Sequence, residues 1–457
     1  MTETGRPDGA DQPAPGQGRV FLFLEGPHGP FFRLLGKSLQ DRGVSVRRVL
    51  FNAADRVEWG RLPASRFTGS AETFPDWLAQ LIDALCVTDL VVYGDGRTVH
   101  RIALEQARAR GITTHIFEEG YIRPRFVTYE RQGSNAFSRL CEISLPRMAG
   151  AIGQVGPPDE SDPVGDTWGD SRQHLWLSFL YYVRLMLSRG SATSYGGSRG
   201  VPMWRESGWY VLRALALPYI RLRRWAKKRW LIRSRRTFHL VLLQLSFDAS
   251  MRVHSDYESN AEFIEEVIDA FTEAATKRDL LVFKAHPFEN GSARLGRVIK
   301  TLASDLGVAD RVMFIDGGKR LAPLMDAARS VVTVNSTGAQ QALWRGLPVV
   351  ATGRSIYRKP GLVSEQSLPG FFRHPRRPDL RAYWIFRAFM LKTTQMPGSF
   401  YAKRGIRRLL EILPDAMMAE SDAYDRVLDA PPSERDGTAL CRPALVVSNT
   451  EWVQNLH

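Results

Sequence analysis

The sequence predicts an α/β protein with two domains, each a parallel sheet with helices on its faces. Short apolar runs typical of buried strands alternate with segments of helical spacing over residues 19–117. The same alternation returns over residues 238–353. Polar residues follow most of these predicted strands, and the carboxyl ends of strands are where open α/β sheets bind ligands. We therefore expect two similar domains that face a cleft.

The first predicted unit is a strand, a helix and a second strand, over 19–25, 31–41 and 44–51. The turn between strand and helix is rich in glycine and proline but is not G-x-G-x-x-G, so the dinucleotide fingerprint is absent. His28 lies in this turn. It could contact an acceptor or a phosphate, or it could be an ordinary turn histidine.

Acidic residues follow the next two predicted strands, 89–93 and 113–117. Asp95 follows the first strand, and Glu118 and Glu119 follow the second. Neighbouring carboxylates suit general acid–base catalysis, because each raises the pKa of the other. Successive residues of an extended segment point in opposite directions, so only one of the two glutamates can face a site. We favour Glu119, with a solvated acidic turn as the alternative.

The strand that organises the second half is Leu-Leu-Val-Phe at 280–283. It leads into Lys284 and His286, and Pro287 then ends the strand because it has no N–H to donate. A cation and an imidazole thus lie where a phosphate would bind. The alternative is a strand that merely ends in polar residues.

Hydroxyl residues follow the predicted strand 331–334. Asn335, Ser336 and Thr337 precede a helix predicted over 339–345. Hydroxyls and free backbone N–H groups at a helix start can bind an anion. They can equally serve as a helix cap, and the two roles are compatible.

The middle of the chain is basic and aromatic. A helix is predicted over 173–190, and residues 221–236 hold nine Lys and Arg interleaved with tryptophan. Helices of this kind lie in membrane interfaces that contain anionic lipid. An RNA-binding surface, an interdomain helix and an oligomer contact are the alternatives. Nothing else in the sequence resembles an RNA module, so we expect no nucleic acid partner.

The whole composition agrees with a soluble protein that binds anions. The 457 residues carry a net charge of +14, and no apolar run of 18 residues is present. The three cysteines predict neither a disulfide framework nor a metal site. The predicted organisation has five parts: a disordered tail (1–18), an N-terminal Rossmann-like acceptor domain (19–150), a basic, aromatic helical insertion (151–236), a C-terminal Rossmann-like nucleotide-sugar domain (237–395), and a C-terminal helix with a loose tail (396–457).

Acids on one side of the predicted cleft face bases and hydroxyls on the other. This layout is typical of a GT-B-like glycosyltransferase, in which the second domain holds the nucleotide sugar and the acceptor approaches from the first. The phosphate can be neutralised by protein groups, so we expect no metal and no cofactor.

Several motifs together resemble the KpsS-type capsule polysaccharide proteins, which look like transferases of the acid sugar Kdo. The motifs span residues 20–401: LEGPHGPFF (24–32), YGDGR (93–97) with His100, FEEGYIRP (117–124), the stretch 244–255, KAHP (284–287), VNST (334–337), and TQ (394–395) with GSFY (398–401). In the stretch 244–255, the residues that match the family pattern are Gln244, Asp248, Arg252, His254 and Ser255. The residues that differ there are Ser246, Phe247, Ala249 and Ser250, and Ala285 also departs from the usual pattern before His-Pro.

This resemblance implies a CMP-Kdo donor and a phosphatidylglycerol or lyso-phosphatidylglycerol acceptor, at the start of the poly-Kdo linker of a capsule. The order of motifs is also similar to bacterial sialyltransferases. That similarity implies Glu119 as acid/base, His286 as partner of the CMP phosphate, and Ser336 and Thr337 as phosphate binders. A CMP-sialic-acid-dependent enzyme and a non-catalytic export or scaffold component remain alternatives.

Related β-Kdo transferases look like retaining enzymes with a carboxylate nucleophile. By resemblance, Asp248 would form the glycosyl-enzyme adduct, and Arg252 would pair with the Kdo carboxylate. Gln244, Glu118, Asp95 and His28 are candidates for support or acceptor contacts. The expected location is the cytoplasm, on the inner face of the cytoplasmic membrane, with other capsule assembly enzymes as potential partners.

Overall fold

The computed structural model describes residues 18–429, except 124, 154, 157–170, 188–202, 246–254, 288, 290, 292 and 319–320. Two sheets with helices on their faces make up the described chain, so the predicted α/β class with two Rossmann-like units is confirmed. The predicted terminal tails lie outside the described residues, except at 18 and 396–429. Asp248 and Arg252 lie outside them as well.

The first sheet has the strand order β12-β6-β5-β4-β1-β2-β3. Strands β1 to β5 run parallel, whereas β6 is antiparallel to β5 and β12 is antiparallel to β6. Its strands are β1 (Val20–Phe23), β2 (Ser45–Leu50), β3 (Ala64–Arg66), β4 (Asp89–Tyr93), β5 (Thr113–Glu119), β6 (Phe126–Arg131) and β12 (Gln395–Pro397).

The second sheet is parallel throughout, in the order β11-β10-β7-β8-β9. Its strands are β7 (Phe238–Leu242), β8 (Leu280–Lys284), β9 (Val312–Ile315), β10 (Ser330–Thr333) and β11 (Val349–Ala351). Strands β7, β8 and β10 are buried along their whole length, which explains their continuous apolar character in the sequence.

Helices connect the strands of both sheets. Those before β7 are α1 (Phe31–Gln40), α2 (Ala53–Trp59), α3 (Phe74–Ala84), α4 (Thr98–Ala109), α5 (Leu145–Ile152), α6 (Ser171–Leu187) and α7 (Met203–Arg233). Those after β7 are α8 (Asn260–Ala274), α9 (Leu295–Asp305), α10 (Ala322–Met325), α11 (Ala339–Trp344), α12 (Leu368–Arg373), α13 (Leu380–Thr393), α14 (Lys403–Met418) and α15 (Ala423–Asp429).

Helix α8 shows how local sequence produces these elements. Ser259 precedes it and accepts the backbone N–H of Glu262 at 3.4 Å, which caps the helix start. Phe263, Val267 and Phe271 follow at helical spacing and are fully buried against the second sheet. Burial of each such side chain contributes about 1.5–3 kcal/mol, so packing outweighs the cap.

The two units share a continuous hydrophobic core. Leu140 and Met148, which follow the first sheet, pack in one cluster with Leu240 and Val331 of the second sheet. Lys359 reinforces the contact, because its ammonium donates to the carbonyls of residues 141 and 143 at 3.3 and 2.7 Å. Cross-unit packing therefore fixes the two sheets next to one another.

The chain returns to its first unit at the end. Strand β12 pairs with β6, and α14 packs its buried face against α1 in the core of the first sheet. The predicted boundary at 150 falls inside α5, which packs on α13, and the boundary at 395 falls on the first residue of β12. The division into domains stays a prediction.

Helix α7 has two different faces. Arg224 Nε donates to the Asp316 carbonyl and Lys227 Nζ to the Phe314 carbonyl, both at 2.7 Å, so one face packs on the end of β9. Its other face exposes large side chains, namely Tyr219, Leu222, Trp225, Trp230 and Ile232. Part of the basic segment therefore packs on the second sheet instead of facing solvent. Among the helices that the structure describes, none is long and apolar enough to cross a membrane.

Candidate functional site

A cleft of about 450 Å³ separates the two units at the carboxyl ends of the second sheet. One wall is the segment that follows β5, and it includes Tyr121, Arg123 and Arg125. The other wall belongs to the second unit. Four predicted donor-binding residues lie in that wall: Lys284, His286, Ser336 and Thr337.

Lys284 is the last residue of β8 and is only 4 % exposed. Its ammonium donates to the neighbouring Ala285 carbonyl at 2.6 Å. Burial, and then the positive charges of Lys228 and Arg224, lower the pKa of Lys284 to about 7. Asp316 acts in the opposite direction and raises this pKa, and an anion in the cleft would add to its effect.

His286 is half-buried in the same wall, two residues beyond the end of β8. The chain turns immediately after it, because the backbone N–H of Glu289 donates to the His286 carbonyl at 3.1 Å. The strand end therefore delivers both Lys284 and His286 to the cleft, although one residue separates them.

Ser336 and Thr337 enter the cleft from the end of β10. Ser336 Oγ accepts the backbone N–H of Gly338 at 3.2 Å, and Tyr357 holds the Ser336 carbonyl at 2.8 Å. Helix α11 begins directly afterwards but has only six residues. An anion bound here would therefore contact hydroxyls and local N–H groups, because so short a helix has only a small dipole.

Gln244 and Asn335 lie next to one another at the ends of β7 and β10. The Gln244 amide donates to the Asn335 side-chain oxygen, and the Gln244 carbonyl accepts from Asn260 at 3.3 Å. Both residues are at the strand ends predicted for donor binding. In the described chain they hold neighbouring loops together instead of lining the cleft.

Gln340 is a cleft residue that the sequence analysis missed. It is the second residue of α11, and only 4 % of it is exposed. Neither its amide nitrogen nor its amide oxygen has a hydrogen-bond partner among the described residues. A buried amide without hydrogen bonds lowers the stability of the folded protein. Pairing with a bound ligand would offset that cost, so Gln340 is a candidate for ligand binding.

The acid predicted for catalysis is held by two tyrosines. Glu119 Oε1 accepts from Tyr93 at 3.0 Å and from Tyr401 at 2.9 Å. Burial, and then the Glu119 carboxylate, raise the pKa of both tyrosine hydroxyls well above the usual value. The hydroxyls therefore stay protonated at neutral pH and act as donors to Glu119.

The other acids of this edge have different partners. Asp95 is buried and accepts from the backbone N–H and the hydroxyl of Ser134, both at 2.9 Å, so it anchors the loop after β6. Glu118 lies against Gly94, where an added Cβ would be 2.9 Å from the Glu118 carboxylate. The two glutamates point to different surroundings, as strand alternation requires.

A second polar cluster surrounds His28. Arg97 donates to Glu25 at 2.7 Å. Burial acts to raise the pKa of Glu25, but Arg97, His100 and Arg48 together lower it. Burial, and then the charge of Arg97, lower the pKa of His28 to about 3. Burial also lowers the pKa of His100, which bonds to the Gly94 carbonyl at 2.7 Å, to about 4. Both imidazoles are neutral at pH 7.

The structure thus groups the predicted residues into two sets. Lys284, His286, Ser336 and Thr337 line one cleft, whereas Glu119 belongs to the cluster with Tyr93. The first wall of the cleft begins at Tyr121, two residues after Glu119. Within the described ranges, no cluster of three His, Cys, Asp or Glu side chains could hold a metal ion.

The sequence contains little that would identify Tyr93, Tyr401 and Gln340 as site residues. Tyr93 and Tyr401 belong to the motifs YGDGR and GSFY, but 308 positions separate them, so nothing local pairs them with Glu119. Gln340 follows the VNST motif by three positions and is unremarkable in a helix.

Comparison with known proteins places these motifs in one family. The family model described as "Capsule polysaccharide biosynthesis protein" matches residues 88–401, which include every predicted site residue except His28. The capsule polysaccharide export protein KpsS of Escherichia coli is 29% identical over 396 residues, covering 84% of this chain and 97% of the relative. The capsule polysaccharide modification protein LipB of Neisseria meningitidis serogroup A is 28% identical over 399 residues, covering 84% of this chain and 91% of the relative.

Among solved structures, KpsC of Thermosulfurimonas dismutans, a beta Kdo 2,7 transferase, matches with a TM-score of 0.38 and 14% identity. The match covers 86% of this chain and 99% of that chain. A TM-score of this size carries no information about substrate or mechanism.

Proposed function

Because the chain belongs to the capsule polysaccharide biosynthesis protein family, we propose that it is a glycosyltransferase that starts the poly-Kdo linker of a capsule. It transfers Kdo from CMP-Kdo, a substrate and not a cofactor, to phosphatidylglycerol or its lyso form. The observation that carries this proposal is the cleft that gathers Lys284, His286, Ser336 and Thr337. No metal or cofactor takes part.

The cleft suits the phosphate of a nucleotide sugar. When the bond to the sugar breaks, negative charge develops on the leaving phosphate, and donors already in position stabilise that charge. Lys284 and His286 supply positive or polar N–H groups, and Ser336 and Thr337 supply hydroxyls. Arg123 and Arg125 across the cleft add to the positive potential.

The acceptor hydroxyl loses its proton to Glu119. Two tyrosine donors hold one carboxylate oxygen of Glu119, and they leave the other oxygen to act as base. Asp248 attacks the anomeric carbon of Kdo, CMP leaves, and the deprotonated acceptor then displaces Asp248 with overall retention. Arg252 pairs with the Kdo carboxylate.

Helix α7 holds the enzyme on the inner face of the cytoplasmic membrane. Its exposed face combines Tyr219, Leu222 and Trp225 with arginines, and Arg223 and Arg229 stack on Tyr219 and Trp225 at 5.5 and 5.2 Å. Such a face binds anionic lipid through both charge and aromatic burial. Replacing its exposed arginines by Gln should lower vesicle binding, and raised salt should weaken the native binding.

The test is incubation of the protein with CMP-Kdo and lyso-phosphatidylglycerol, with the product mass measured. The expected product is one Kdo heavier than the acceptor, formed also in the presence of EDTA. Asp248→Asn should abolish transfer and leave CMP binding intact. His286→Ala should weaken CMP binding by roughly 10- to 100-fold, because it removes a hydrogen bond to a charged group.

Three results would contradict the proposal. Normal turnover by Asp248→Asn would remove that residue from the mechanism. Transfer from CMP-sialic acid in preference to CMP-Kdo would assign a different sugar. Full capsule assembly by a protein without Glu119, Asp248 and His286 would indicate a non-catalytic export or scaffold role.

A further inference from the structure

Helix α6 covers the acid cluster of the first unit. His174 stacks on Tyr401 with the ring centroids 4.3 Å apart, and Tyr401 is the residue that donates to Glu119. One turn further along, Leu177 packs on Gly29, where an added Cβ would lie 3.0 Å from it. The helix is therefore linked to the candidate catalytic carboxylate through one side chain, Tyr401.

The same face of α6 continues at Tyr181. Its ring lies 4.2 Å from that of His28, and its hydroxyl bonds to Asn52 at 2.8 Å and to Asp55 at 3.1 Å. The residues His174, Leu177 and Tyr181 follow one another at helical spacing, so they form one continuous inner face. This face fixes the position of α6 over the first unit.

The opposite face of α6 is aromatic and exposed. Trp176 and Phe179 are 59% and 56% exposed, and their rings stack on one another at 5.7 Å. Tyr182 is also exposed beside them. Exposed stacked aromatics on one helix face are typical of a surface with a partner, because leaving them in water forfeits their burial energy.

The net positive charge of residues 171–236 favours an anionic partner. Residues 171–236 contain fifteen Lys and Arg but a single acid, Glu206. A strongly basic segment that also exposes Trp176 and Phe179 is complementary to an anionic bilayer, where aromatic rings lie at the headgroup level. An acidic lipid surface satisfies both features at once.

We propose that α6 is an interfacial helix that inserts Trp176 and Phe179 into an anionic bilayer and brings the lipid acceptor to Glu119. The outer face enters the headgroup region, while the inner face borders the acid cluster. A lipid headgroup beside α6 then has a short path to Glu119, and the acyl chain stays in the membrane. This inference rests on the proposed transfer to a lipid acceptor and adds the element that presents it.

The test compares two aromatic pairs on different helices. Trp176→Ser with Phe179→Ser removes the outer face of α6, and Tyr219→Ser with Trp225→Ser removes a matched exposed pair from α7. Transfer is measured with acceptor in phosphatidylglycerol vesicles and with a short-chain, water-soluble acceptor. All rates are compared at vesicle concentrations that bind the protein fully.

The α6 pair should slow transfer to the vesicle acceptor by about tenfold even when all protein is bound, since presentation is lost. The α7 pair should recover the native rate once bound, because it only anchors. Both should use the soluble acceptor at the native rate. Equal rates for native and α6-substituted protein on vesicles, or an equal loss on the soluble acceptor, would overturn the proposal.

A second readout does not depend on catalysis. A polarity-sensitive fluorophore at Phe179→Cys, with Cys86, Cys141 and Cys441 replaced by Ser, should shift to shorter wavelength on phosphatidylglycerol vesicles. The same label at Phe137→Cys, an exposed position of the loop after β6, should not shift. Absence of a shift at 179 would exclude lipid and leave this face to a protein partner. Loss of transfer with a retained shift would instead contradict the proposed reaction.

Discussion

At the scale of residues, the acid Glu119 is defined by the hydroxyls that surround it. Tyr93 and Tyr401 both donate to the same carboxylate oxygen, and they also contact one another at 3.3 Å. Fixing one oxygen orients the other, which is what a general base requires. Neither tyrosine needs to contact the substrate, so both are positioning residues.

Tyr401→Phe should lower kcat by roughly tenfold, the usual effect of losing one hydrogen bond to a charged group. The KM for the donor should stay unchanged, because the donor cleft is separate. Steady-state kinetics with varied donor would measure both. Tyr424→Phe, which removes a buried tyrosine of α15 that donates to Glu130 instead of Glu119, is the control and should keep the native kcat. A raised donor KM in Tyr401→Phe would contradict the assignment.

Lys284 makes donor binding depend on pH. Its pKa of about 7 means that the free protein carries this charge below pH 7 and loses it above. Binding of CMP above pH 7 must therefore recover a proton, and the affinity should fall by up to about tenfold per pH unit there. Calorimetry in buffers of different ionisation enthalpy would detect the proton uptake. Lys284→Arg should bind CMP without this pH dependence.

The same lysine should cost stability. The folded pKa lies below that of the unfolded chain, so the folded state is penalised by an amount that grows as the pH falls from about 10.5 to about 7 and is constant below. Lys284→Met should raise the free energy of unfolding by a few kcal/mol at pH 7, on the order expected for a buried ammonium, and by much less at pH 10. Urea unfolding at both pH values would measure it. An equal gain at both would contradict this account.

At the scale of elements, the turn between β5 and β6 determines where Glu119 lies. A Cβ at Gly120 would be 2.1 Å from the Phe126 carbonyl oxygen, which is a backbone atom and cannot move aside. The glycine therefore lets the two antiparallel strands approach directly after the acid. Close approach of the backbone is therefore the structural reason for a glycine at position 120.

Gly120→Ala should reduce the free energy of unfolding by about 1–3 kcal/mol and lower transfer, because the strand end must shift. The matched control is Gly150→Ala in α5, where an added Cβ meets nothing within 4 Å. It should stabilise the protein by about 0.5–1 kcal/mol through helix propensity alone. Thermal unfolding of both variants tests the pair, and a stable, active Gly120→Ala would refute the argument.

The elements that could be predicted from the sequence are those with a clear local pattern of apolar residues. Strand β4 was predicted with its observed bounds, 89–93, because it contains the apolar run Leu-Val-Val and a helical pattern follows it. Strand β6 was missed because Phe126–Arg131 ends in Glu130 and Arg131, and charged residues are seldom buried as these two are. Strand β12 has three residues and is defined by its pairing with Thr128, which no local pattern indicates.

The candidate site divides in the same way. Lys284, His286 and Ser336 were predicted because each follows a buried strand, and parallel strands bring their carboxyl ends together. Tyr401 was missed because its role depends on a residue 282 positions away. Gln340 was missed because only the folded chain shows that its amide is buried and unpaired among the described residues. Long-range pairing is information that a single sequence does not display.

At the scale of the whole molecule, the C-terminal return completes the first unit. Arg131 is buried and donates to the carbonyls of Ala416, Met417, Ala419 and Glu420, at the end of α14. The apolar face of α14 fills the core of the first sheet. The first unit is thus built from both ends of the chain.

A chain that ends at residue 394 should therefore lose the first unit while a chain that ends at 429 should not. The truncation removes β12 and the buried side chains of α14, which contribute several times about 1.5–3 kcal/mol. Soluble yield and limited proteolysis of the two chains would compare them. Protease resistance of residues 18–131 in the shorter chain would contradict the prediction.

The pairing of β12 with β6 also sets an order for folding during synthesis. Gln395 contacts Thr128 across 267 positions, so β6 cannot pair with β12 until most of the chain has been made. At about 5–20 residues per second, that interval is tens of seconds. All strands of the parallel second sheet are synthesised before β12. The β6 edge of the first sheet therefore stays unpaired until β12 has been made. During that time the edge of the nascent chain is exposed to pairing with other strands.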